Sequence, residues 1–179
     1  MPTDLRRLNF PAIEQALGAK LLSFDRVRAW AERRVQLESE IPDWLVELVL
    51  CESRGAALDH LFIARQWQRQ ELPGDEEIAA FDKVNLFLGF LFVRYQRHEL
   101  SMLDLLIQAG DYTDGPGTRV GIACEWFYSS ANEIDGKGTV IRSDRPLAAR
   151  VTELFAPFAD AAHASLHQLQ VEGLIESSL

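Results

Sequence analysis

IAAFDKVNLFLGFLFVRYQR, Ile78 to Arg97, decides the fold. From Val84 to Val93 every position is apolar except Asn85 and Gly89, so a helix made from this stretch has no wide polar face and must be surrounded by other elements. Asp75, Glu76 and Glu77 suit the positive end of that helix, and Arg94, Arg97 and His98 suit the negative end. The ten-residue apolar run is about half of the ~20 residues needed to span a bilayer, so the reading is a central helix of a bundle and not a membrane span.

Outward from residue 78 toward the N-terminus, four amphipathic segments come into view. Phe10, Ile13, Leu17 and Leu21 or Leu22 lie at helical spacing, with Pro11 in a first turn and Gly18 as a stop. Ser23 reads as an N-cap for a second helix over 24–39, whose apolar stripe is Val27, Trp30, Ala31 and Val35. Pro42 separates it from IPDWLVELVLCES, where Ile41, Trp44, Leu45, Leu48 and Val49 share one face, Val46 and Leu50 widen it, and the segment is expected to be largely buried. A fourth helix over 56–70 turns Leu58, Leu61, Phe62 and Trp67 inward.

Beyond the central helix, Ser101 and Asp104 have capping-box spacing for a short helix over 102–109 that Gly110 ends. Asp111 to Gly117, DYTDGPG, reads as an exposed acidic loop. Residues 118–133 fit either a helix or an alternating strand, and Ala131-Asn132 after a capping Thr118 favours the helix. Asp135-Gly136-Lys137-Gly138 reads as a turn before a short strand at Thr139–Ile141. Pro146 opens a last helix with Leu147, Val151, Leu154, Phe158, Ala161 or Ala162, Ser165 and Leu169 on one face, kinked at Pro157 and ended by Gly173. The expected fold is therefore all-α, one helical domain over 1–179, with about seven or eight helices around a central helix 76–97 and room for one short hairpin near 134–141.

Composition narrows function by exclusion. At 179 residues and 47% hydrophobic, the chain can build a core without staples. Cys51 and Cys124 sit in no metal-binding or redox spacing and read as buried free thiols. Residues 1–72 carry 10 Lys/Arg against 11 Asp/Glu, whereas 73–179 carry 8 against 16. An acidic second half repels phosphate backbones and anionic lipids, so neither nucleic acid nor membrane is the expected partner; the excess either favours a basic protein or serves solubility alone. The N-terminal MPTDLRRLNFPAIEQALG has no apolar run of signal-peptide length, which points to the cytoplasm.

Catalytic patterns are missing: no nucleophile elbow, phosphate loop or dinucleotide fingerprint occurs. The sharpest chemical pattern is Asp160-x-x-His163-x-x-x-His167, three ligand types within two helical turns. It lacks the glutamate of a zinc-protease helix, so a solvated helix face is the stronger reading and a metal-binding enzyme or ligand-binding bundle the alternative. His60 beside Asp59 points elsewhere than its neighbour on a helix. Two aromatic groups, Arg65-Trp67-Arg69 and Trp126-Phe127-Tyr128, fit either a core or an interface; an exposed Trp67 or Trp126 would suit a homodimer or a permanent assembly.

The run LSFDRVRAWAERRVQLESEIPDWLVELVLCES, about residues 22–53, resembles the helix–Pro–helix segments of small cytoplasmic immunity proteins of bacterial polymorphic-toxin systems, through FDxVxxWAE followed by IPxWLxEL. That resemblance implies an all-helical, cofactor-free, non-enzymatic inhibitor that binds a cognate toxin and blocks its active site. On this reading the partner-binding surface comprises Asp111, Tyr112, Asp114, Glu125, Glu133 and Asp135, which offer negative charge to a basic toxin domain.

Overall fold

A computed structural model describes residues 4–71, 80–115, 124–136 and 145–176. The described residues form eight α-helices and one short 3-10 turn, with no strand among them, so the all-α expectation holds. Backbone contacts divide the chain into two compact units, Met1–Glu77 with Ala164–Leu179, and Ile78–His163.

In the first unit Asp4 caps the 3-10 turn Leu5–Arg7, and Asn9 caps α1, Phe10–Gly18, by accepting from the Ala12 N–H at 3.0 Å. Pro11 costs α1 no hydrogen bond because first-turn N–H groups have no helical partner. The chain reverses at Lys20, in the left-handed region at φ 61°, with Leu21 N–H on the Ala16 carbonyl and Lys20 N–H on Leu17. Ser23 caps α2, Phe24–Leu37, and Pro42 stands just before α3, Asp43–Leu50.

α3 corrects the expectation of general burial. Trp44, Leu45 and Leu48 are buried, but Ile41, Val46 and Leu50 are exposed, because α3 packs on α2 and α4 with one narrow stripe only. Ser53 starts α4, Arg54–Glu71, earlier than expected, by accepting from the Ala56 N–H. The inward residues of α4 are Ala57, Leu61, Ala64 and Arg65, while Phe62 is 47% exposed. Small alanines let α4 approach α1 closely, which turns the bulky Phe62 outward and places the Arg65 guanidinium over its ring at 4.9 Å. Trp44 is the aromatic hub, edge-on to Phe10 at 5.1 Å and tilted against Trp67 at 5.8 Å.

The second unit contains α5, Ala80–Gln96, whose residues Leu86 to Val93 are all buried, as a helix without a polar face must be. Residues 76–79 of the expected central helix lie outside the described residues. α5 is closed off just beyond its end by His98, left-handed at φ 60°, where Glu99 N–H reaches the Arg94 carbonyl. Ser101 then caps α6, Met102–Thr113, by accepting from the Asp104 N–H at 3.0 Å.

α6 does not stop at Gly110. It continues through Asp111, Tyr112 and Thr113, which corrects the expected loop; residues 116 and 117 of that loop lie outside the described residues. Gly110 serves close packing instead: a Cβ there would stand 2.8 Å from the Tyr128 ring. α7, Cys124–Gly136, is a helix and settles the helix-or-strand ambiguity for its residues, whereas 118–123 are outside the described range. Ile134, Asp135 and Gly136 belong to α7, so the hairpin alternative loses its first arm; residues 137–141 are not among those described.

α8, Arg145–Val171, continues past Pro157. Its section in the second unit buries Leu147, Val151, Phe155, Ala159 and Ala162, a stripe that passes through Phe155 where Leu154 and Phe158 were expected. Phe155 is stacked on Phe92 at 5.4 Å and also meets Phe127 and Phe158, joining α5, α7 and α8. The final section belongs to the first unit and ends, as expected, at Gly173 with φ 68°. No helix among the described residues is long and apolar enough to cross a membrane.

Candidate functional site

The α6–α7 pair holds most of the residues expected to meet a partner. The two helices run antiparallel: Asp111 faces Tyr128 and Asp114 faces Cys124. The Tyr128 hydroxyl donates to Asp111 at 2.9 Å, and the Cys124 thiol donates to Asp114 at 3.5 Å. Both carboxylates remain exposed, as does Glu125 at the start of α7. The hydrogen bond to Asp111 holds Tyr128 protonated up to a pKa of about 12, with burial and the nearby Asp114 adding to the effect. Burial, then Asp114 and Glu125, push the Cys124 thiol above its ordinary value, so this cysteine is a weak nucleophile.

Tyr112 is not freely presented. Its ring stacks on Phe87 of α5 at 3.7 Å, nearly parallel, and it is half-buried. Glu133 and Asp135 lie at the far end of α7, about 12 Å and about 15 Å along the axis from Glu125 by helical rise. Arg150 of α8 pairs with Glu133 at 3.0 Å. The structure thus gathers Asp111, Tyr112, Asp114 and Glu125 at one corner and sets Glu133 and Asp135 apart. The Arg150 partnership, 17 residues distant in sequence, leaves no periodic signal that could have announced it.

The acidic excess is spread over both units. The first unit carries 10 Lys/Arg against 16 Asp/Glu and the second 8 against 11, so the acidic excess does not belong to the α6–α7 unit as a whole. Within that unit it is local: residues 101–115 and 124–136 contain Asp104, Asp111, Asp114, Glu125, Glu133 and Asp135 and no Lys or Arg.

The aromatic candidates divide. Arg65 is buried against Glu14 at 3.4 Å, and Trp67 is half-buried on Trp44, so that group is chiefly core. Phe127 is fully buried, whereas Trp126 is half-buried beside Glu125 and edge-on to Phe127 at 5.6 Å. Asp160, His163 and His167 are each exposed on α8, and among the described residues no group of three or more His, Cys, Asp or Glu is placed to hold a metal ion. A cavity of about 1000 Å³ opens in the second unit between the α5–α6 turn, Ile134 and Ala148. The polar groups along it are chiefly exposed; Glu99, for example, is already paired with Arg94 at 3.2 Å. Comparison with protein-family models, with curated proteins and with solved structures found no match.

Proposed function

We infer that this chain is a non-enzymatic binding protein of the immunity type, which neutralises a basic bacterial toxin domain by covering it with the exposed corner of α6 and α7. The observation that carries the reading is the cation-free composition of that helix pair, with Asp111, Asp114 and Glu125 all facing solvent. Negative potential over such a surface speeds encounter with a cationic partner, commonly by about 10-fold to 10³-fold at low ionic strength. Trp126 supplies a large, partly accessible aromatic beside Glu125, the residue type that most often anchors an interface.

The test purifies this chain with the variable C-terminal domain of a secreted protein encoded immediately upstream; absence of any such neighbouring reading frame counts against the immunity reading. Formation of a complex whose association rate falls steeply with salt, and falls at least 10-fold at low salt in the double variant Asp111→Lys/Asp114→Lys, is the expected result. Unchanged association of that variant at low salt removes this surface from the proposal.

A further inference from the structure

Three arginines and a tryptophan on one face of α2 all turn toward the same short stretch of chain, Glu172–Glu176. Arg26, Trp30, Arg33 and Arg34 stand at i, i+4, i+7 and i+8, one stripe of a helix. Arg34 is only 3% exposed and meets the equally buried Glu172 carboxylate at 3.7 Å, to which Trp30 Nε1 also donates at 3.3 Å. Arg33 donates to the Gly173 carbonyl at 3.3 Å, and Arg26 pairs with Glu176. Between these polar anchors Leu174 and Ile175 are buried. The order of contacts shows the segment running antiparallel to α2. Four residues can reach about 13–14 Å, enough to follow the ~12 Å rise from Arg34 back to Arg26.

The stretch is set off from α8 by a definite break. Gly173 takes φ 68°, Leu174 N–H closes back onto the Leu169 carbonyl, and Gly173 N–H onto Gln170. Residues 174–176 lie outside any helix, and ion pairs at the two ends of the segment, with two apolar side chains between them, hold it in place. A buried ion pair recovers little more than the cost of its own desolvation, and the exposed Arg26–Glu176 pair contributes less still. Arg34 also keeps Glu38 at 2.6 Å, so its charge retains a counter-ion when Glu172 moves away. The ion pairs therefore set the register of the segment, and the burial of Leu174 and Ile175 supplies most of what holds it.

We propose that the α2 face of Arg26, Trp30, Arg33 and Arg34 is a groove for an acidic amphipathic peptide, filled in this structure by residues 172–176 of the same chain acting as an exchangeable strap. The peptide chemistry it takes is carboxylate, a small residue in the left-handed conformation, two apolar residues, carboxylate, which is Glu172-Gly173-Leu174-Ile175-Glu176 itself. The inference is independent of the α6–α7 surface and goes beyond it, because the groove is cationic and lies in the other unit.

Two measurements test it on the full chain. Hydrogen exchange of the native protein should show the amides of Leu174, Ile175 and Glu176 exchanging at least 100-fold faster than those of Trp30, Ala31 and Arg34; equal rates mean that the strap opens only with global unfolding and overturn the proposal. Binding of a labelled peptide, VEGLIE, should be at least 10-fold tighter to Glu172→Gln/Glu176→Gln than to the unaltered chain, because the internal competitor is weakened. Adding Arg33→Met and Arg26→Met to that variant should abolish the gain. Equal affinity for both proteins, or binding that survives loss of the arginines, overturns the groove. Where the double variant does not fold, exchange on the unaltered chain still tests whether the strap opens, and Glu176→Gln alone, at the exposed pair, replaces it in the peptide titration.

Discussion

The hydroxyl of Tyr128 donates to Asp111 across the α6–α7 pair at 2.9 Å, and this one bond ties the proposed recognition corner to the buried packing beneath it. Gly110, one residue earlier, has no Cβ where the Tyr128 ring lies, so the same tyrosine sits flat on α6 and reaches its carboxylate. Asp111 is thereby held in position yet left exposed for a partner.

That bond has a pH signature. With its folded pKa near 12 against an ordinary 10, the phenol binds its proton more tightly in the folded state. The contribution to stability is fully present below pH 10 and is lost as pH rises from about 10 to 12. Spectrophotometric titration should find a tyrosine ionising near pH 12, and Asp111→Asn should bring it back toward 10. A tyrosine titration unmoved by Asp111→Asn contradicts the assignment.

Two glycines should respond to alanine with opposite signs. A Cβ at Gly89 would stand 2.2 Å from the Phe158 carbonyl oxygen and 2.7 Å from the Ala162 Cβ, both on α8, where nothing flexible can yield. Gly89→Ala is therefore expected to lose about 1–3 kcal/mol or more in urea unfolding, despite the better helix propensity of alanine. At Gly55 the nearest atom is Ser53 Oγ at 3.9 Å, so Gly55→Ala should gain up to about 1 kcal/mol. Equal changes at the two sites would mean that propensity, and not the α5–α8 approach, governs both.

Most of the helices were legible because period and caps agree at the same residues. Ser23, Ser101 and Gly173 each sit where the apolar stripe starts or stops, and each makes its capping contact. The α5 run without a polar face admits only one environment. The site was less legible, for physical reasons. DYTDGPG has turn composition, yet α6 extends into it because Tyr112 gains a stack on Phe87 and Gly110 a seat against Tyr128, contacts that local propensity does not see. Phe62 turns outward, and Phe155 takes the inward place expected of Leu154 and Phe158, for a similar reason: alanines on α4 and facing aromatics on α5 and α7 decide which way a bulky residue turns.

The left-handed residue after α1 is a lysine, and only glycine adopts φ 61° without steric cost. Lys20 is exposed and closes the helix end through backbone bonds alone among its described hydrogen bonds, so its side chain contributes nothing that glycine would forfeit. Lys20→Gly should raise stability by about 1 kcal/mol, read as a higher urea midpoint with an unchanged slope. A fall in the midpoint would show that the lysine side chain holds α1 in a way its backbone does not.

Glu14 and Arg65 give the last test, because here burial opposes the partner. Arg65 lies within 3.4 Å of the Glu14 carboxylate and draws its pKa down, yet desolvation is the larger influence and leaves the group above its usual value of 4.5. A carboxyl with a raised folded pKa binds its proton more tightly when folded. Its contribution to stability is fully present below pH 4.5 and is lost as pH rises through the folded pKa. Glu14→Gln cannot titrate, so the stability difference between the native chain and this variant should shift against the native chain as pH climbs from 4 to 7. If the difference instead moves in favour of the native chain over that interval, the attraction of Arg65 outweighs burial, and the α1–α4 ion pair is a net source of stability rather than a cost that Ala57, Leu61 and Ala64 packing against α1 must offset.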